Sequence, residues 1–317
     1  MDVLSNVLNV TNLATRVLGS RELLAPWGIS VERQGHAVIH IVKRGSAWLR
    51  QDDALVRLEA GDVVLLATGD AHSLSSEREM RELQPINAAD GRAQEQLALS
   101  RGEANGVEPT VLQSAVFEFS HDTAHPLLSL LPRVIHLSAE RTANDAELQS
   151  LLRLIVSEPA KREPGNELVV LRLIDALLVY VLRAWLRDQP EGTAGWLGAL
   201  RDPQIRKALT QIHEAPQAPW TVESLARSVA MSRAAFAKRF ADIVGEPPLA
   251  YVTRWRMDLA AKLLRESGEP VARIAGRVGY LSETAFAKAF RRRRHVAPGQ
   301  YRYHRRARAE AAATAPA

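Results

Sequence analysis

The sequence predicts an α+β chain of separate domains: an antiparallel β-sandwich or barrel, a helical connector, and an all-α domain with two helix-turn-helix units. Three observations predict this. Short apolar runs alternate with turn residues over 36–74, the apolar spacing turns helical from about Asn144, and a nine-residue segment near the C-terminus occurs twice. A chain of 317 residues is long enough for two domains, each with its own core.

The β-rich region begins near His36. Val38, Ile39, Ile41 and Val42 lead to Lys43-Arg44-Gly45, and Ala47-Trp48-Leu49 leads to Asp52-Asp53. Val56-Arg57-Leu58 reaches Ala60-Gly61-Asp62, and the run Val63 to Ala67 ends at Thr68-Gly69-Asp70. Turn residues every eight to ten positions favour antiparallel strands. Residues 85–110 read as loop, and Val111 to Phe119 as a further strand. Leu148, Leu151, Leu152 and Ile155 then form one helical stripe, and Leu168 to Val181 a broader one, separated by the turn Glu163-Pro164-Gly165-Asn166. These helices carry apolar residues on more than one face, for packing on the strands or against a second copy. Asp188 to Gly195 reads as a linker, and helices with brief turns follow Leu197.

Composition narrows the function classes. There is no cysteine, so disulfides, thiolate zinc sites and thiol redox sensing are excluded. The most apolar stretch, Leu168 to Leu186, is broken by Arg172, Asp175 and Arg183, which argues against a membrane span. The start Met1-Asp2-Val3-Leu4 lacks the basic and apolar pattern of a secretory signal, so a cytoplasmic location is expected. Residues 201–317 carry 22 Lys and Arg against 10 Asp and Glu, a net of +12, whereas residues 1–200 carry a net of −7. A basic back half suits a polyanion.

The repeat gives that charge a shape. Ser232 to Phe240 matches Ser282 to Phe290 at six of nine positions, and matched helices precede each copy at Val222 to Ala226 and Val271 to Ala275. Each unit reads as a short helix, a tight turn and a second helix capped by serine. Ala226 and Ala275 permit close crossing. Gly279 suits a turn with positive φ, with Ala230 as its counterpart. Phe236, Phe240, Phe286 and Phe290 bury one stripe of each second helix. The face left outward carries Arg233, Ala234, Ala237 and Lys238 on one copy, and Glu283, Thr284, Ala287 and Lys288 on the other. Two such units on one face would match successive major grooves about 34 Å apart.

Residues 201–306 resemble the DNA-binding domain of the AraC/XylS family. The resemblance rests on Arg254-Trp255-Arg256-Met257, on Ile274 to Tyr280 and on Ala297-Pro298 through Tyr301-Arg302. It implies base-facing roles for Arg233, Ala234, Ala237, Lys238, Glu283, Thr284 and Lys288. Lys238 and Lys288 are candidates for guanine or phosphate, and the alanines for thymine methyls or for little readout at those positions. Arg291 to Arg294, with Arg291 and Arg292 foremost, and Arg302 to Arg308 are expected to add phosphate contacts. The sequence departs from the family pattern after the second recognition helix. Arg294-His295 stand in place of Phe-Gly, and Ala297 in place of Ser, which predicts a less rigid second unit.

The front half resembles the cupin-type domain of many AraC-family regulators. The residues that carry this are His40 to Gly45, Ala60-Gly61-Asp62, Gly69 to His72, Leu127 to Pro132 and Val134-Ile135-His136. The resemblance implies a cupin-like β-barrel that binds a small-molecule effector, with His40 and His72 as the ligand-binding candidates and His36, His121 and His125 nearby. Imidazoles bind divalent metals, but the usual His-x-His and Glu cluster is missing, so no metal or other cofactor is assigned. A metal-dependent cupin enzyme is the alternative, and turnover with tightly bound metal would distinguish it from a regulator.

The expected organisation is a cupin-like sensor domain over 1–143, a connector and candidate dimerisation region over 144–195, the AraC-type domain over 196–306 and a disordered tail over 307–317. The expected protein is not an enzyme. It is a sequence-specific regulator of transcription, activator or repressor, bound to double-stranded DNA as a homodimer, with RNA polymerase a further partner of an activator and no membrane association.

Overall fold

A computed structural model of the chain describes residues 2–10, 14–33, 36–80, 83–86, 108–118, 131–161, 163–189 and 199–303. They divide into two compact units. His121, His125, the 127–130 part of the cupin-like motif, most of the expected linker and the tail lie outside the described residues.

The first unit, Ala14–Phe119 with Leu131–Gln189, holds ten strands and three helices among its described residues. The strands are β1 (Ala14–Leu23), β2 (Gly28–Val31), β3 (Ala37–Arg44), β4 (Ser46–Gln51), β5 (Ala54–Glu59), β6 (Val63–Leu66), β7 (His72–Ser75), β8 (Gln84–Ile86), β9 (Thr110–Glu118) and β10 (Val134–Leu137). They form two five-stranded sheets, ordered β1-β9-β3-β6-β10 and β5-β4-β7-β2-β8. The described strands therefore lie as a two-sheet sandwich, and among the described residues no ladder joins the sheets into a closed barrel. Its interior is packed by Leu23, Val38, Val42, Val64, Leu66, Leu112 and Val116 from one sheet against Ile29, Ala47, Leu49, Leu58 and Leu74 from the other. Strands β3 and β6 are buried on both faces, which explains their continuous apolar runs. On their outer face Ile39 and Leu65 are essentially inaccessible, and helices pack along the flanking strands β1 and β10 of the same sheet.

Those helices follow β10 in the chain. Asp62 fixes the approach: its carboxylate accepts from the backbone N–H of Ala139 at 2.6 Å and from His136 Nε2 at 2.8 Å. Helix α2 spans Ala139–Ala143, capped by Ser138, and is followed by α3 (Ala146–Lys161) and α4 (Asn166–Asp188). Helix α4 packs along β1 and β10. Leu154, Val156, Leu168 and Val169 remain exposed on this hairpin. Among the described residues no helix is long and apolar enough to cross a membrane.

The second unit contains the C-terminal helices and the first helix of the chain, α1 (Val3–Val10). Val3, Leu4, Val7 and Val10 bury the apolar face of α1 against α5 (Pro203–Glu214) and α8 (Pro248–Glu266). Lys262 donates to Asn9 Oδ1, and Arg265 to the carbonyl of Val10. Between α5 and α8 lie α6 (Val222–Ser228) and α7 (Arg233–Val244); after α8 come α9 (Val271–Arg277) and α10 (Glu283–Arg294).

Candidate nucleic-acid interface

Each helix-turn-helix unit is set by a small number of local constraints. In the first, Thr221 and Ser224 form a reciprocal capping box at the start of α6. The turn passes through Ala230 at φ 56°, and Ser232 Oγ accepts the N–H of Ala235 to start α7. In the second, Gly279 takes the turn at φ 82°, and Ser282 Oγ accepts the N–H of Ala285 to start α10. A side chain at Gly279 would meet the Cα of Gln217 at 2.9 Å, so glycine is required there by space as well as by φ. Phe236, Phe240, Phe286 and Phe290 are fully buried, as their spacing predicts.

Helix α8 joins the units. It packs against α7 on one side and against α9 and α10 on the other. Arg256 Nε donates to the carbonyl of Pro216 at 2.7 Å and Nη2 to that of Ala218 at 2.8 Å, while its guanidinium lies 6.0 Å from the Tyr280 ring centroid. One side chain thus ties the loop before the first unit to the turn of the second. Behind it His213 stacks on Trp255 at 3.7 Å and shares a hydrogen bond with the Tyr251 hydroxyl at 2.7 Å.

The buried phenylalanines turn the opposite face of each second helix outward. Arg233, Ala234 and Lys238 are exposed on α7, with Ala237 half-buried; Glu283, Thr284, Lys288, Arg291 and Arg292 are all exposed on α10. The two faces differ electrostatically. Lys238 Nζ bonds Asp242 at 2.7 Å, one helical turn on, and that bond raises the lysine pKa. On α10 the residue one turn after Lys288 is Arg292, so the second face is the more positive. The i, i+4 spacing of Lys238 and Asp242 is the sequence signal for this pairing.

Two expectations about the basic segments need correction. Arg294 is not on the phosphate-facing surface: it is buried and bonds Asp258 at 2.5 Å. Arg302 directs a guanidinium N–H to the carbonyl of Glu269, which engages it within the fold. His295 does take the left-handed conformation of a helix C-cap, at φ 62°, as Gly245 does in the first unit at φ 84°.

In the β-unit, the structure brings His40 and His72 together. Their Nε2 atoms are 3.0 Å apart, and His40 Nδ1 is 2.8 Å from Ser114 Oγ. His72 Nδ1 lies 3.0 Å from the carbonyl of Asp70, which can only accept, so that nitrogen carries the proton. His72 Nε2 is then the acceptor, His40 Nε2 the donor, and Ser114 donates to His40 Nδ1. Burial lowers both pKa values; for His40 the neighbouring His72 and Arg21 lower it further, whereas for His72 the Asp70 carbonyl partly opposes the shift. Among the described residues no three groups with metal-ligating side chains stand together. A separate cavity of about 310 Å³ lies between the outer face of the first sheet and the helical hairpin, lined by Val17, Ser20 and Gln113 on one side and Pro159, Asn166 and Val170 on the other.

Comparison with known proteins agrees with this architecture. A cupin family model matches residues 2–187, and a helix-turn-helix domain model matches residues 225–304. A putative AraC-like transcription regulator of Streptomyces antibioticus is 34% identical over 306 residues, covering 96% of this chain and 99% of that protein. The chain belongs to the AraC family of transcription regulators. The HTH-type transcriptional regulator AlkR of Acinetobacter baylyi is 33% identical over 311 residues, covering 95% of this chain and 99% of AlkR. The crystal structure of the DNA-binding domain of AdpA in complex with a target DNA is 33% identical, covering 33% of this chain and 95% of that one, with a TM-score of 0.32. As an AraC-type regulator the protein binds DNA and is not an enzyme.

Proposed function

We propose that this AraC-type regulator reads a specific DNA sequence by placing α7 and α10 in successive major grooves, and that a small molecule held by the cupin-like unit modulates DNA binding or activation. The repeated, serine-capped second helix carries the first part. Its apolar stripe is consumed by the core in both copies, leaving Arg233, Ala234, Ala237, Lys238 and Glu283, Thr284, Lys288 to face a partner. Arg291 and Arg292 supply phosphate contacts, which makes affinity steeply salt-dependent. Footprinting tests the assignment. Lys238→Ala and Lys288→Ala should each weaken specific binding, and each should change base preference at a separate position about one helical turn apart. Footprints unchanged in both variants would overturn it.

Support for the effector is of two kinds. The His40–His72 pair is a polar point in an apolar interior, and the cavity beside Gln113 has room for a small molecule. Strand β9 carries both, since Gln113 lines the cavity and Ser114 holds His40. The exposed Leu154, Val156, Leu168 and Val169 favour pairing of two copies through the hairpin, and RNA polymerase is a further partner if the protein activates.

A further inference from the structure

The two helix-turn-helix units differ in length by one residue, and the insertion falls where the second helix begins. From Val222 to Ala230 the first unit aligns with Val271 to Gly279 at an offset of 49, but from Ser232 onward it aligns with Ser282 at an offset of 50. Backbone hydrogen bonds locate the insertion. The N–H of Met231 donates to the carbonyl of Ala226, and the N–H of Tyr280 to the carbonyl of Ala275, both at 2.9 Å. Tyr280 therefore stands where Met231 stands, and Leu281 has no counterpart.

Leu281 contributes nothing to the packing of its own domain: its relative exposure is 108%, against a half-buried Met231 and a Tyr280 that packs edge-on to Phe286. A single exposed leucine carries little meaning by itself. This one is an inserted residue, directly before the Ser282 N-cap of α10 and next to the exposed Glu283 and Thr284. The N-terminal end of a recognition helix is the part that approaches base edges. A leucine there has no hydrogen bond to offer, and the apolar group that major-groove edges present is the thymine C5 methyl.

We propose that Leu281 is a further specificity-determining residue, making apolar contact with a thymine methyl at the edge of the second unit's half-site. The proposal rests on α10 occupying a major groove. The test uses the full chain and the operator that footprinting defines, with each thymine of that half-site replaced singly by deoxyuridine. One replacement should weaken the wild-type protein about fourfold, the effect of burying one methyl group. The same replacement should have no effect on Leu281→Ser, and Leu281→Met should restore the sensitivity. Because Leu281 carries no charge, the salt slope of Leu281→Ser should equal that of the wild type. Identical deoxyuridine profiles for wild type and Leu281→Ser overturn the proposal, as does a loss in Leu281→Ser that is uniform across all sequences, which would place the side chain on the sugar-phosphate backbone. Lys288→Ala on the same operator separates the two failures. If it weakens binding while the deoxyuridine profiles coincide, the groove assignment stands and the methyl contact falls; if it has no effect, the groove assignment itself is at fault.

Discussion

Arg294 in the second unit takes the place of Val244 in the first, and both side chains are buried. An arginine is stable in an apolar slot when a carboxylate meets it. Asp258 does so, and Arg254, which also bonds Glu246 at 2.7 Å, stands 3.5 Å away on its other side. Burial pushes the Asp258 carboxyl up in pKa, against the pull of Arg294 and Arg254. Removing one partner of such a pair leaves a buried charge uncompensated. Arg294→Ala should therefore cost about 3 kcal/mol in denaturant unfolding. An unchanged unfolding midpoint would show that Asp258 is satisfied by Arg254 alone.

At the scale of elements, the two recognition helices start alike and end differently. Both begin on a serine cap, but α7 ends on Gly245 and α10 on His295 in the same left-handed conformation. A residue with a Cβ pays a steric cost there that glycine does not. His295→Gly should raise stability by about 1 kcal/mol, read as a higher melting temperature. A lower melting temperature would show that the imidazole makes a compensating interaction. The helix faces also diverge. Lys238 is held by Asp242, whereas Lys288 is followed by Arg292 one turn later, so α10 offers the stronger attraction for phosphate.

For the whole molecule, both units contain imidazoles that burial keeps neutral. His213, between Tyr251 and Trp255, has its pKa lowered by burial and then by the charge of Arg254, to about 3. His40 and His72 are shifted in the same direction in the β-unit. Folded-state values below the unfolded value near 6.5 mean that the unfolded chain binds more protons. The stability these groups confer is complete above pH 6.5 and is lost as pH falls below it. For His213 alone the loss between pH 6.5 and pH 5 should be about 2 kcal/mol. His213→Phe, which keeps an aromatic ring in the stack, should flatten the pH dependence by that amount in paired unfolding curves. Parallel curves for the two proteins would place the titration elsewhere.

The sequence alone determined the paired helix-turn-helix scaffold, because its requirements are local: a serine that caps its own helix, phenylalanines one turn apart, a residue that takes positive φ. The strands over 36–74 and the two connector helices were legible for the same reason, as periodicity and turn residues act over a few positions. Strands β1, β2, β8 and β10 were not, and β8 (Gln84–Ile86) occupies the start of the segment expected to be loop. β1 carries a bulge between Val17 and Gly19, which breaks the alternation that would reveal it. Tertiary structure decided whatever depends on partners distant in the chain. It split the strands into two sheets, which requires pairings such as β1 with β9, and set α1 against α5 and α8. It paired His40 with His72, and it turned Arg294 inward onto Asp258, 36 residues away. Short-range sterics and hydrogen bonds can be read along a chain, whereas the burial of a charge depends on which group lies opposite it, and only the folded molecule specifies that.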